Sequence, residues 1–316
     1  MSEFDAIRSL IADLPTARAD VTVGPGDDGA VLRTPPGTEL VVVTDTLVAG
    51  RHFPEDTRAA DVGWKALAVN LSDLAAMGAD AGWAVVALTV PERDPAWLDG
   101  FAAGLGELLR ESGTALVGGD LTRGPLAVTV TALGTVPAGT ALRRDGARPG
   151  DLVCVTGTLG DAALGLARWS GGEPPADRRE AHLHTRLARP RPRPGARLRG
   201  LAHAAVDVSD GLAADLGHLL AASGVGARIE VDRLPRSAAF AALCPAGRRA
   251  GLQLAGGDDY ELCVTLPPEA VGPATAALGC GLTRIGHIES EPGLRLVDAT
   301  GAPVAPPGDG GYDHFG

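Results

Sequence analysis

Aromatic residues make up only 3% of the 316-residue chain, so Ala, Leu and Val have to fill its core. Lysine is nearly missing: of 28 basic residues Lys65 alone is a lysine, and the rest are arginines. That excludes a Walker-type phosphate loop, GxxxxGK[ST], because Lys65 stands in VGWKALA. Cysteine is scarce as well. Cys154, Cys244, Cys263 and Cys280 stand singly in apolar stretches with no CxxC pair, which reads as small buried hydrophobes in a reducing cytoplasm. No uncharged apolar run nears the roughly 20 residues that span a bilayer, and Ala81 to Pro91 is the best of them. The N-terminal MSEFDAIRSL lacks the basic start and apolar run of a signal peptide. Positive charge is in deficit, 28 Lys+Arg against 39 Asp+Glu for a net −11, which argues against a nucleic-acid partner.

What remains is an ordinary globular composition, 45% apolar and 21% charged, long enough for one large or two medium domains. The pattern predicts a helix over 3–14 and short strands at 21–23, 30–33 and 40–44. A long helix follows at 58–79, a buried strand at 83–90, a helix at 95–112, and strands at 115–119 and 126–136. The polar, turn-rich RRDGARPGD (143–151) reads as a linker between domains at 1–142 and 148–316. Beyond it come LVCVTG, a helix from about 160, a strand at 205–209, a helix from 210, and strands near 227–231, 262–266 and 283–288. Several strand pairs are joined directly, so the fold class is α/β (α+β) with mixed sheets rather than a doubly wound parallel sheet. Residues 168–199 hold nine arginines and three acids and include RPRPRPG; they read as a solvated helix and a stiff Pro-rich connection rather than a nucleic-acid tail.

Aspartates recur beside glycine at predicted strand ends: GPGDDGAVL, VVTDTLVAGRHF, NLSDLAAMGAD, VGGDLTRG, VDVSDGL and AGGDDYEL. One such Asp is usually a turn former or helix cap. Taken together the six sets fit that reading poorly, because several lie directly after apolar runs that should be buried. Asp73 lies in KALAVNLSDLAAMGA, apolar on nearly every face, where an unpaired charge is costly. Lys65 is about 12 Å away along a helix. Backbone amides, an Arg from elsewhere or a metal ion remain as partners. Two carboxylates 4 Å apart repel by about 4 kcal/mol at an effective dielectric near 20, so a converging set must protonate or bind cations. Oxygen-only donors favour Mg²⁺, and Mg²⁺ with phosphates points to metal-assisted phosphoryl transfer.

Gly24, Gly26 and Gly29 spell GxGxxG, but AVLR follows as a strand, not the helix a dinucleotide site requires. His52 in GRHF is either a surface-loop residue or a substrate contact. Arg144 is either a linker charge or a guanidinium fork for ATP phosphates. Asp207, Ser209 and Asp210 either cap a helix or form an anion or metal–phosphate turn at its N-terminus.

Taken together, GDDGAVL, TDTLVAGRHF, KALAVNLSDLAAMGA, GGDLTRGPL, TGTLGDAALGLA, DVSDGLAADLGHL, GGDDYELC and the terminal GYDHF resemble the thiamine-monophosphate kinase family. That family lies in the aminoimidazole ribonucleotide synthetase-like superfamily. The resemblance implies two α/β domains, the first binding ATP and Mg²⁺ and pairing with a partner's in a β-barrel-like homodimer interface. It implies ATP-dependent conversion of thiamine monophosphate to thiamine diphosphate, the last step of that cofactor's biosynthesis, by direct in-line transfer without a covalent nucleophile. By position in the motifs, it assigns Asp28, Thr44, Asp45, Asp73, Asp120, Asp207 and Asp210 to several magnesium ions. It assigns Gly119, Asp120, Arg144 and Ser209 to ATP, and His52, Asp258 and Tyr312 to the substrate. Position 258 is Asp where the family carries Glu, and Val43 replaces a hydroxyl residue before the TD pair.

The alternatives are another ATP-dependent synthetase of the superfamily, for which no reactive Cys is on offer, and a non-enzymatic metal-binding module, whose DxDxDG loop is absent. The acceptor is itself a phosphate monoester, largely dianionic near neutral pH. The task is therefore neutralising and aligning two polyanions rather than supplying a strong base.

Overall fold

Strict alternation governs the long strands of the first half. Strand β6 (Ala127–Pro137) buries Val128, Val130, Ala132 and Val136 and leaves Thr129, Thr131 and Thr135 partly exposed on the other face, as period-two side chains require. It pairs antiparallel with β3 (Thr38–Val48), from Thr38 opposite Pro137 to Val48 opposite Ala127. Its other edge pairs antiparallel with β4 (Asp80–Val90), and β5 (Ala115–Arg123) adds parallel to β4. The sheet order is β3-β6-β4-β5. A small ribbon of β1 (Val21–Val23) and β2 (Val31–Leu32) packs Val21 and Leu32 with Trp83, Ala115 and Val117.

The computed structural model describes residues 7–306 apart from Ser9 and Gly172. Of the helix expected over 3–14, residues 7–8 and 10–11 are helical and the rest of its start lies outside the described residues. Helix α1 (Ala59–Ala76) buries Trp64, Lys65, Leu67, Asn70, Ser72 and Leu74, consistent with its nearly all-round apolar sequence. Helix α2 (Pro95–Ser112) starts where Asp94 accepts the Ala96 N–H and Pro95 presets the first turn, and stops at left-handed Gly113. It turns Leu98, Phe101, Leu105, Leu108 and Leu109 inward at helical spacing.

The chain forms two units, one up to Leu74 and from Ala79 to Gly139, the other comprising Ala75–Gly78 and the chain from Thr140. The end of α1 groups with the second unit because Ala75 and Ala76 pack beside Leu142, Leu198, Ala205 and Leu262.

The second unit is built on β7 (Leu152–Thr156), β8 (Ala204–Val208), β9 (Gly226–Glu230), β10 (Glu261–Leu266), β11 (Leu282–Glu289) and β12 (Gly293–Val297), in the order β12-β9-β11-β7-β10-β8. Only β12–β9 is a parallel pair, so both large sheets are mixed, as expected. Around it run α3 (Asp161–Ala167), α4 (Arg178–Ala188), α5 (Leu212–Ser223), α6 (Ala238–Leu243), α7 (Ala246–Ala255) and α8 (Val271–Leu278). Helices α6–α8 and strand β12 were not expected. Each is ten residues or fewer, and short Ala/Gly-rich pieces carry little apolar periodicity.

One consequence of register positions the chemistry. β10 runs antiparallel to both neighbours, with Glu261 opposite Val208 and Cys263 opposite Val155. The C-terminal ends of β7 and β8 therefore flank the start of β10. TGTLGD, VDVSDG and GGDDYE, starting at residues 156, 206 and 256, meet at one end of one sheet.

Candidate active site

The turn after β8 is shaped by a carboxylate that the motif reading passed over. Asp215, in the first turn of α5, accepts the successive N–H groups of Ser209, Asp210 and Gly211 on Oδ2, at 3.0, 3.1 and 3.1 Å. This ties the backbone of 209–211 to the helix start. Asp207 is buried, while Ser209 and Asp210 are half-exposed. Burial, followed by the charges of Asp207 and Asp210, pushes the Asp215 carboxyl up to about 7.

The loop entering β10 locks onto this turn. The Asp258 N–H donates to the Ser209 carbonyl at 2.7 Å and the Tyr260 N–H to the Val208 carbonyl at 2.8 Å. Among the described residues, Asp258 and Tyr260 are the non-glycine residues with left-handed backbone, φ 61° and 49°. Both carboxylate oxygens of the buried Asp259 accept the Gly160 N–H, at 2.9 and 3.0 Å, which anchors the loop to the TGTLGD segment. Burial raises the Asp259 carboxyl well above the usual carboxylate range. Arg144 lies on a single 3₁₀ turn, 144–146, and is exposed. Its neighbour Arg143 is taken by Asp145 at 2.6 Å.

In the first unit, Asp28, Gly119 and Asp120 line one cleft of 1090 Å³, together with Leu88, Phe101 and Leu105. Gly119 is required there by close strand approach, since a Cβ would stand 2.3 Å from the Val86 carbonyl oxygen. Asp45 is not in that cleft. Register places Asp45, Val130, Val86 and Gly119 in one row across the sheet, so Asp45 sits three strands from Gly119, about 14 Å along the sheet. Thr44 points to the face opposite Asp45, where its hydroxyl meets Thr131 Oγ1 at 3.1 Å and the Val130 carbonyl at 3.2 Å. Asp73 is half-buried on α1; three residues earlier, Asn70 is fully buried and its Oδ1 has no hydrogen-bond partner.

His52 occupies the turn after β3. Its Nδ1 accepts the Val48 N–H at 2.9 Å, which makes Nδ1 the unprotonated ring nitrogen. Lys65, 1% exposed, donates from Nζ to the His52 carbonyl at 3.0 Å. The single lysine thus supports the histidine turn, a role that 13 positions of separation conceal in the sequence. Tyr312 lies outside the described residues.

Each unit therefore assembles part of the assigned set: Asp28, Gly119 and Asp120 in one, Asp207, Ser209, Asp210 and Asp258 in the other. Among the described residues no group of three or more His, Cys, Asp or Glu side chains is arranged to hold a metal ion alone.

The class of the chain is that of the AIR synthase related proteins, shown by two family models that together span both units. The model for the AIR synthase related protein N-terminal domain matches residues 26–136, and that for its C-terminal domain matches 148–299. The chain is 47% identical to the thiamine-monophosphate kinase of Salmonella typhimurium, over 99% of this chain and 98% of that one. It superposes on the crystal structure of thiamine-monophosphate kinase from Stenotrophomonas maltophilia with a TM-score of 0.85 at 47% identity, covering 92% of this chain and 94% of the other. The complex of AaThiL with AMPPCP and TMP superposes with a TM-score of 0.81 at 31% identity, covering 99% and 96%. The chain belongs to the thiamine-monophosphate kinase family of AIR synthase related proteins.

Proposed function

We infer that this chain is a kinase that transfers the γ-phosphoryl group of ATP to thiamine monophosphate, giving thiamine diphosphate and ADP. The observation that carries the reading is the bond between the two motif loops. Ser209, assigned to ATP, and Asp258, assigned to the acceptor, are joined through backbone at 2.7 Å. The family membership and the AaThiL complex with an ATP analogue and TMP support it.

The terminal P–O bond of ATP breaks as an oxygen of the acceptor phosphate bonds to that phosphorus, and ADP leaves with the electron pair. The acceptor is already dianionic near pH 7, so no side chain has to remove a proton. The Ser209 turn, its three amides held by Asp215, presents the Ser209 hydroxyl to a phosphate, and the exposed Arg144 offers a fork for the phosphate oxygens. His52 in the first unit and Asp258 in the second are the described residues assigned to the acceptor, and the same assignment extends to Tyr312.

The donor set suits Mg²⁺: it consists of carboxylates and hydroxyls, the hard oxygen ligands this ion prefers. The crowding of Asp207, Asp210 and Asp215, and the unpaired Asn70 Oδ1 beside Asp73, are features a cation relieves. Asp28, Thr44, Asp45, Asp73, Asp120, Asp207 and Asp210 would hold the ions, with phosphate oxygens and water completing each shell. Bound Mg²⁺ supplies charge neutralisation of the two polyanions.

A homodimer through the outer face of the first sheet fits the exposure there of Leu40 and Val42, 47% and 56%. Four unpaired thiols fit a reducing cytoplasm, and no described helix is long and apolar enough to cross a membrane. The net charge of −11 disfavours nucleic acid.

Incubation with ATP, Mg²⁺ and thiamine monophosphate tests the activity directly. Thiamine diphosphate is the expected product; phosphorylation of free thiamine but not of its monophosphate would overturn the assignment.

A further inference from the structure

The arginine-rich stretch 168–199 takes no part in the chemistry derived so far, yet two of its arginines reach the loop that carries Asp258. Helix α4 starts on the Asp177 carboxylate, which accepts the Arg179 and Glu180 N–H groups. It buries Leu183 beside Leu164 and Phe240. That packing delivers Arg186 to the end of the sheet. Its Nη2 donates to the Asp259 carbonyl at 3.0 Å and to Glu261 Oε1 at 2.9 Å. Arg193, from RPRPRPG, forks onto the same carboxylate, with Nε at 2.6 Å from Oε2 and Nη2 on Oε1. Thr156 adds its hydroxyl to Oε2 at 2.6 Å. Glu261 is fully buried, so these two guanidiniums are what compensate its charge.

The clamp grips the Asp259 carbonyl and the Glu261 carboxylate, while the end of β8 grips the Asp258 and Tyr260 amides. Between the two grips the backbone is left-handed at Asp258 and again at Tyr260, conformations that are costly for non-glycine residues and persist only where the surroundings over-determine them. Ser209, Val208 and the Gly160 amide on the Asp259 carboxylate supply part of that determination. Arg186 adds to it, because it bridges the carbonyl of Asp259 to the carboxylate of Glu261 and so holds the peptide between the two left-handed residues.

We propose that Arg186, backed by Arg193 on Glu261, is a positioning residue for the phosphate-bearing acceptor: it holds the Asp258 loop in its left-handed form so that the acceptor meets a preformed carboxylate. The inference rests on the reading that Asp258 contacts the acceptor. A protein whose binding-competent loop is populated in one molecule in ten binds about tenfold more weakly, and the effect falls on the ligand that needs the loop.

Steady-state kinetics of the full chain tests this with Arg186→Met, Arg186→Lys and Asp258→Asn in parallel. In Arg186→Met the KM for thiamine monophosphate is expected to rise about tenfold with the KM for ATP within about twofold. Arg186→Lys, whose single ammonium reaches one acceptor of the two, is expected to recover part of the loss. An unchanged acceptor KM in Arg186→Met, or an equal rise in both KM values, overturns the proposal. If Arg186→Met does not fold, Arg186→Lys decides, a wild-type acceptor KM sinking the idea and a selective rise sustaining it. An unchanged acceptor KM in Asp258→Asn removes the reading beneath the proposal. A raised one beside a wild-type Arg186→Met removes the positioning role alone.

Discussion

The Asp258 N–H donates to the Ser209 carbonyl at 2.7 Å, joining the loop assigned to the acceptor to the turn assigned to ATP. Gly257 makes this approach possible. Its φ is +67°, and a Cβ there would stand 2.7 Å from the Ser209 carbonyl oxygen. Gly257→Ala therefore strains the junction itself. The variant is expected to lose about 1–2 kcal/mol of stability and to raise the KM for ATP and for thiamine monophosphate together. Thermal melts and kinetics check both, and a rise confined to one substrate would contradict a shared junction.

Asp215 gives the metal-free protein a pH signature. Its folded-state carboxyl is pushed up to about 7, while an unfolded Asp ionises near 3.9. Between these values the native state binds the extra proton, so this group's contribution is complete below about pH 4 and is lost as pH rises to about 7. With chelator present, the melting temperature is expected to fall from pH 5 to pH 7. Asp215→Asn keeps an acceptor for the three amides but cannot ionise, and its slope is expected to be shallower. Parallel slopes in the two proteins would rule this out.

The outer face of the first sheet offers a test of assembly. Leu40 and Val42 lie exposed on β3, on the same face as Thr44 and Thr46. Val42→Asp places a charge in the middle of that face, where burial against a second copy is costly. Sedimentation at micromolar concentration is expected to give a dimer for the native chain and a monomer for the variant. An unchanged mass for Val42→Asp would move the interface elsewhere.

The aspartate motifs were readable because glycine and apolar runs mark strand ends locally. Asp207 lies near the end of β8, Asp210 and Asp258 stand at the turns beside β8 and β10, and mixed sheets followed from directly joined strand pairs. Asp215 was missed, although an acid four residues after Gly211 and in the first turn of a helix is a local signal for amide capture. Arg186 and Arg193 had no such signal. Their partner Glu261 is 75 and 68 residues away, and only the packing of Leu183 on Leu164 and Phe240 shows that α4 faces inward. The separation of Asp45 from Asp120 is likewise a product of strand order, which spacing along the chain does not encode.

Lysine usage has a practical corollary. The chain's one ε-amine belongs to Lys65, which is 1% exposed. In the folded protein this amine is shielded from amine-reactive reagents. Acylation at position 65 becomes a clock for opening of the first unit, readable as a single mass increment without any engineered label.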